Sequence, residues 1–377
     1  MKKQTEYTGV TSIESLRHEL KNRDVHSALL VRDKNAYFQC GASKAVEYAT
    51  EGLNIHITEF YDFEKNPKIE DVKKGLSFLD ECNPDLIIGI GGGSALDMAK
   101  LMRFFHSFEG DIAGGQYVNT KSVIPLIAIP TTAGTGSEST HFAVVYRDSV
   151  KYSVAHDEML PDAAIVYPPF TYSASPYLAA CTGFDALSQA IEAWWNVNAN
   201  PESDEYARKA IRLLWENLPP AVNLQPTEAK NKVAEGAHWA GKAINITKTT
   251  APHAMSYAFT TLYGIPHGHA VALTFPFWAE INCRCSEKLL SEKLTPDRYK
   301  SKIDELLKML NFTGNESVSD LFIRYITNLH LSFNLPEDID KEAVLKKINL
   351  ERLQNNPCKI DDSMARRVFD KLLSLQY

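Results

Sequence analysis

DLIIGIGGGSALDMAKLMRFF, residues Asp85 to Phe105, decides how this chain folds. An apolar run of strand length, Asp85 to Ile90, meets three consecutive glycines, Gly91, Gly92 and Gly93, and then a helical pattern. A strand without polar alternation is buried on both faces, as in a parallel sheet. Consecutive glycines let the backbone approach a bulky anion, and a helix N-terminus offers free N–H groups and a partial positive charge. Pyrophosphate is the natural guest of such a turn. A sharp strand-to-helix corner with no ligand is the other reading. The strict G-x-G-x-x-G spacing is missed, because Ser94 stands where the last glycine would be.

Outward from this stretch the pattern repeats. SALLVRD (27–33), NIHITEF (54–60) and VIPLIAIP (123–130) read as further strands. Between them, the segment from Thr11 to Lys21, KAVEYATEG and KIEDVKKGLSFLDECN read as helices. Strands separated by helices give parallel βαβ units with right-handed crossovers. Beyond Pro168 the pattern turns helical, with FDALSQAIEAWW, ESDEYARKAIRLLWENL and KNKVAEGAHWAGKAI. A chain of 377 residues exceeds the ~250–300 at which single cores split. The expectation is an α/β dinucleotide-binding domain with a parallel sheet over residues 1–170 and an all-α domain over 171–377.

Composition excludes other classes. Hydrophobic content of 44% and charged content of 23% are ordinary for a globular protein. A formal net charge of -7 argues against nucleic acid as a partner, since phosphate backbones need a basic face. No run approaches the ~18 apolar residues of a membrane span. The opening MKKQTEYTGVTSIESL has no apolar stretch behind its lysines, so it does not read as a signal peptide. Six cysteines without a C-x-x-C pair point to reduced thiols and a cytoplasmic location.

A second loop, Pro130 to Glu138, carries Thr131, Thr132, Thr135 and Ser137, whose hydroxyls can reach a ribose or an amide. Asp33 ends the first apolar strand. It is either a surface-turn aspartate or an acceptor for an adenosine ribose that repels a 2′-phosphate, which favours NAD over NADP. In TTAPHAMSYAFTTLYGIPHGHAVAL (249–273), His253 lies on one helix. After the corner Gly264-Ile265-Pro266, His267 opens the next, because proline is tolerated at a helix start. Two histidines across a tight corner can converge on a metal, or they are two polar helix ends at a surface. Asp185 and Gln189 share a helix face at i, i+4. With the histidines they make a hard-to-borderline donor set for Fe(II) or Zn(II).

GGGSALDMAK, PTTAGTGSE, the Asp185 helix and the H-x13-H-G segment, in this order, resemble the iron-containing (group III) alcohol dehydrogenases over nearly the whole chain. The resemblance implies a dehydroquinate synthase-like arrangement of the two domains, with the active site in the cleft between them. It implies that Gly91, Gly92, Gly93 and Ser94 bind the pyrophosphate of NAD(H), NADP(H) being the alternative. It places Asp97, Thr131, Thr132, Thr135 and Ser137 around the cofactor, and makes Asp185, His253 and His267 metal ligands. It also implies a homo-oligomer. Two departures stand out. Gln189 replaces the family's usual second-ligand histidine, and an amide oxygen is the weaker donor. Tyr257 stands where the family has a further histidine, so Tyr257 or His269 takes over as proton donor.

KYSVAHDEMLPDAAIV, NVNANPESDEYARKAIR and ITKTTAPHAMSYAFTTLYGIPHGHA are similar to the branch that reduces phosphonoacetaldehyde to 2-hydroxyethylphosphonate. Lys248, Thr249 and Thr250, just ahead of His253, are candidates for holding the phosphonate by charge-assisted hydrogen bonds. Lys151 and His156 are further candidates. The alternatives are a general short-chain alcohol or diol dehydrogenase, a sugar-phosphate cyclase, and a binding protein whose metal site has degraded at Gln189.

Overall fold

The computed structural model describes residues 3–111, 115–148 and 150–376, apart from the side chain of residue 351. Two compact units divide between Ala174 and Ser175, four residues beyond the expected boundary. In the first, the strands are β1 (Thr5–Thr8), β2 (Ser27–Arg32), β3 (His56–Phe60), β4 (Leu86–Gly91), β5 (Phe108–Gly110), β6 (Tyr117–Asn119), β7 (Leu126–Pro130), β8 (Phe142–Arg147), β9 (Val150–Ala155) and β10 (Ala163–Val166). Its helices are α1 (Glu14–Asn22), α2 (Ala36–Gln39), α3 (Ala42–Thr50), α4 (Ile69–Cys82) and α5 (Gly93–Ser107).

Six strands form one parallel sheet in the order β1-β10-β7-β4-β2-β3. Side chains alternate between its faces with period 2. Leu30, Ile88 and Ile127 pack with Leu16, Leu20 and Val46 of α1 and α3. Leu29, Ile87 and Leu126 pack with Val72, Met98 and Met102 of α4 and α5 on the other face. Both faces are therefore covered, which is why β4 is buried throughout. The chain runs from β2 outward to β3, then returns to place β4 on the other side of β2. That reversal is the switch point at which open α/β sheets bind ligands, and it sets the ends of β2 and β4, Asp33 and the glycine turn, side by side.

Two strands of this sheet escaped the sequence reading. β1, TEYT, is mostly exposed and carries no apolar signal; it exists by pairing with β10, itself only AAIV. β8 and β9 form a separate antiparallel hairpin, and β5 and β6 another.

The second unit contains α6 (Pro176–Trp195), α7 (Pro201–Asn223), α8 (Thr227–Thr247), α9 (Ala251–Tyr263), α10 (His267–Cys283), α11 (Pro296–Met309), α12 (Val318–Asn328), α13 (Lys341–Lys346), α14 (Leu350–Leu353) and α15 (Asp362–Leu373). Ser175 caps α6, its Oγ accepting from Leu178 N at 3.2 Å. From Gly183 to Trp195 every residue of α6 is buried, so this helix is packed all round, against α7, α8 and α10. Polar side chains in such a helix need partners. Among the described residues, no helix is long and apolar enough to cross a membrane.

Candidate active site

The polar residues of α6 build the site. Asp185, Gln189 and Glu192 follow at i, i+4 and i+7, on one face, and all three are buried. His253 comes from the first turn of α9. Gly264, in the left-handed region at φ 69°, ends α9, and α10 begins at His267. One ligand atom each from Asp185, His253 and His267 lies within 4.8 Å of the others. His253 Nε2 is 3.1 Å from Asp185 Oδ1, and His267 Nε2 is 3.8 Å from the same oxygen.

Gln189 donates from Nε2 to Asp185 Oδ2 at 3.1 Å, while its buried Oε1 has no hydrogen-bond partner. An unsatisfied buried carbonyl costs about 1–3 kcal/mol unless something fills it. The Asp185 carboxylate, the two imidazoles and this orphaned oxygen are a donor set that fits a divalent cation such as Fe(II) or Zn(II).

Glu192 was missed by sequence reasoning. It is fully buried and hydrogen-bonded to His253 Nδ1. It also accepts from Thr250 N at 2.6 Å and Thr250 Oγ1 at 2.8 Å. With Nδ1 donating to a carboxylate, Nε2 is the atom left facing Asp185, and it offers a lone pair there once its proton is displaced, the arrangement a ligating histidine needs. Burial pulls the His253 imidazole down, but Glu192 and Asp185 outweigh it and raise the group to about 10. The signal was present in the i+7 spacing from Asp185. It is invisible without knowing that this helix is buried.

The structure redistributes several expected residues. Thr250 is fully buried, its hydroxyl donating to Glu192 and accepting from Trp195 Nε1 at 3.1 Å. Its polar functions are engaged inside the protein, so it braces Glu192 beside His253 and does not face a substrate. Thr249 is buried too, its carbonyl accepting from Asn355 Nδ2 at 3.0 Å. Lys248 caps α8 at φ 62°, ψ -174°. Lys151 lies on β9, in the other unit, and its charge acts on Asp97. His156 packs tilted against Phe104 and Phe108 and caps a short turn by accepting from Glu158 N, a packing role. His269 is also withdrawn as proton donor: its Nε2 donates to Ser332 O at 2.6 Å and its Nδ1 pairs with Tyr177 Oη at 2.9 Å. Tyr257 lies parallel to the His267 ring, centroids 5.6 Å apart.

Gly268 follows His267 for a steric reason. A Cβ there would sit 1.9 Å from Cys181 O and 3.1 Å from Asp185 Cβ. Only glycine lets α10 approach α6 this closely.

In the first unit, α5 starts at Gly93 with no side chain capping it, so its leading N–H groups remain for an anion. A Cβ on Gly93 would meet Thr135 Cγ2 at 2.7 Å, and one on Gly91 would meet Asp33 Oδ2 at 2.7 Å. Asp33 and the threonine loop thus converge on the glycine turn, where Thr132 also approaches Gly92. Thr131 N donates to Gly91 O, and its buried Oγ1 has no partner. This cradle fits a dinucleotide. Ser94 Oγ accepts from Asn66 N at 3.1 Å.

Asp97 and Ser137 do not face a ligand with their polar atoms. Ser137 Oγ donates to Asp97 Oδ1 at 2.5 Å and Val144 N donates to Oδ2 at 2.9 Å. Lys100, unnoticed in the sequence, is fully buried beneath the loop. Its ammonium donates to Ser137 O, Thr140 Oγ1 and Phe142 O, and burial lowers it to about 8. Asp97, Lys100 and Ser137 hold the loop in shape.

Comparison with known proteins follows the same division. Residues 4–168 match the family Iron-containing alcohol dehydrogenase, and residues 179–358 match Fe-containing alcohol dehydrogenase family, C-terminal. The chain is 39% identical over 235 residues to Long-chain-alcohol dehydrogenase 1 of Geobacillus thermodenitrificans, covering 60% of this chain and 58% of that protein. It is 32% identical over 321 residues to 1,3-propanediol dehydrogenase of Klebsiella pneumoniae, covering 83% and 80%. A sulfoacetaldehyde reductase from Bifidobacterium kashiwanohense, solved in complex with NAD+, is similar with a TM-score of 0.83 at 28% identity, covering 98% of this chain and 97% of that one.

Proposed function

This chain belongs to the iron-containing alcohol dehydrogenases, and from that premise we propose that it reduces a short anionic aldehyde, phosphonoacetaldehyde, to its primary alcohol, 2-hydroxyethylphosphonate. One observation carries the chemistry: two carboxylates, Asp185 and Glu192, are buried around His253 beside an unpartnered Gln189 Oε1. Such a cluster calls for a divalent cation. When bound, the metal supplies Lewis acidity to a carbonyl oxygen, and the nicotinamide supplies or accepts the hydride. Asp185, His253, His267 and Gln189 hold the metal. Glu192 keeps His253 in the tautomer that presents Nε2. Gly91, Gly92, Gly93, Ser94 and the start of α5 hold the pyrophosphate, with Thr131, Thr132 and Thr135 lining the turn and Asp33 selecting NADH over NADPH. Tyr257, stacked on His267, is the remaining candidate to carry the proton to the alkoxide.

The anionic substrate rests on three supports. The stretch ITKTTAPHAMSYAF resembles the phosphonate branch. The likeness to a sulfoacetaldehyde reductase favours a short aldehyde carrying an oxyanion. Lys248 occupies a backbone region costly for any residue but glycine, and such strain clusters at functional sites. Likeness to a 1,3-propanediol dehydrogenase favours the second reading, a neutral short-chain substrate.

A panel of phosphonoacetaldehyde, sulfoacetaldehyde and propanal, each with NADH and NADPH, decides between them. We expect the largest kcat/KM for phosphonoacetaldehyde with NADH. Lys248→Ala raises KM for the two anionic aldehydes by about tenfold or more while leaving propanal nearly unchanged, the effect of losing one charge-assisted contact. Equal or faster turnover of propanal rejects the anionic assignment.

A further inference from the structure

We propose that Arg32 and Glu59 are positioning residues for cofactor choice: together they hold the Asp33 carboxylate where it accepts the 2′-hydroxyl of NADH and repels the 2′-phosphate of NADPH. The proposal rests on the reading of Asp33 as the ribose acceptor and names the device that fixes it. A carboxylate discriminates between two cofactors only when its own position is locked by the residues behind it.

Arg32 is the last residue of β2, and its side chain is only 6% exposed. From the neighbouring strand β3, Glu59 Oε2 accepts from Arg32 Nε at 2.9 Å and from Nη2 at 2.6 Å. Nη1 donates to the carbonyl oxygen of Asp33 at 3.1 Å. Three rings pack against the guanidinium, with their centroids 5.0 Å (Tyr37), 4.9 Å (Phe38) and 4.2 Å (Tyr61) from its central carbon. One side chain thus ties together the end of β2, the short helix α2 and the residue that follows β3. An arginine near this acidic position is the residue that accommodates a 2′-phosphate in other dinucleotide sites. Here its donors are spent on Glu59 and on the Asp33 carbonyl.

Tyr37 is the link to the carboxylate. It is buried, its ring packs on Arg32, and its backbone N–H donates to Asp33 Oδ1 at 3.1 Å. The other oxygen, Oδ2, lies over the glycine turn, where a Cβ on Gly91 would meet it at 2.7 Å. One carboxylate oxygen is therefore anchored and the other is presented at the turn. Arg32 holds Asp33 twice, directly at its carbonyl and through Tyr37 at its carboxylate. Glu59 keeps Arg32 in place. A guanidinium this buried cannot stay where it is without its counter-charge, and it must leave the rings to be hydrated.

Dissociation constants of NADH and NADPH are measured by fluorescence titration of the metal-loaded full chain. Glu59→Ala weakens NADH about fivefold or more and leaves NADPH equal or tighter, the effect of losing one hydrogen bond to the ribose. Glu59→Gln keeps an acceptor for the guanidinium and shows the same change in smaller degree. It decides the matter should the alanine variant not fold. Asp33→Ser also weakens NADH. Adding Glu59→Ala to it costs NADH no more than about a further twofold, because residues that act through one contact do not add. The proposal is overturned if both cofactors weaken in equal measure, if neither moves, or if the two substitutions add in full. Asp33→Ser with an unchanged preference between the cofactors rejects the ribose reading itself. A changed preference in Asp33→Ser beside an unchanged one in both Glu59 variants rejects the clamp alone.

Discussion

Glu192 has no exposed surface and meets no reacting atom, yet the presentation of His253 depends on it. Glu192→Gln keeps the shape and removes the charge that holds the Nδ1 proton. We expect metal affinity to fall about 10–100-fold, read by competition with a chelator, while far-UV circular dichroism is unchanged. The same contact sets a pH dependence. In the metal-free protein His253 is raised from 6.5 to about 10. A raised imidazole contributes stability that is complete below pH 6.5 and is lost as pH climbs towards 10. The metal-free melting temperature should therefore drop by several degrees across that window. The metal-loaded protein, whose His253 has already given up its proton, should not follow it. A flat metal-free profile would contradict the ion pair. At this scale the sequence yielded the residues with motif spacing, Asp185, His253 and His267. It hid Glu192, Lys100 and the inward turn of Thr250, because a charge on a helix reads as solvated until burial is known.

Among the elements, α10 carries the tightest constraint. Its second residue, Gly268, lies where a Cβ would overlap Cys181 O. Gly268→Ala cannot be absorbed by a side-chain rotation, since the neighbour is backbone. We expect a loss of about 3 kcal/mol, in the upper range for overpacking, with metal content reduced as His267 moves away from Asp185. Thermal denaturation and metal analysis of the same preparation check this. A stable variant with full metal content would show that the helices can part without cost. The strands teach a related lesson. β2, β4 and β7 could be read directly because burial on both faces leaves an apolar run. β1 and β10 are too short to carry a period, and only their pairing makes them strands.

For the whole molecule, the division into α/β and helical units was legible, because hydrophobic period switches from strand to helix near Pro168. In the proposed reading each unit holds its own ligand group, which predicts separate footprints in hydrogen exchange. NADH should slow exchange at the end of β4, the start of α5 and residues 130–137. A divalent metal should slow it in α6, α9 and α10. Protection by the metal at the glycine turn alone would contradict the assignment. The close contact at Gly268 has a thermodynamic corollary. Since the helices already lie so close that a Cβ would overlap backbone there, the spacing of Asp185 and His267 is set by the packing of α10 on α6. Cation capture then orders almost nothing. Titration calorimetry should find a heat-capacity change near zero, unlike a domain that condenses around its metal.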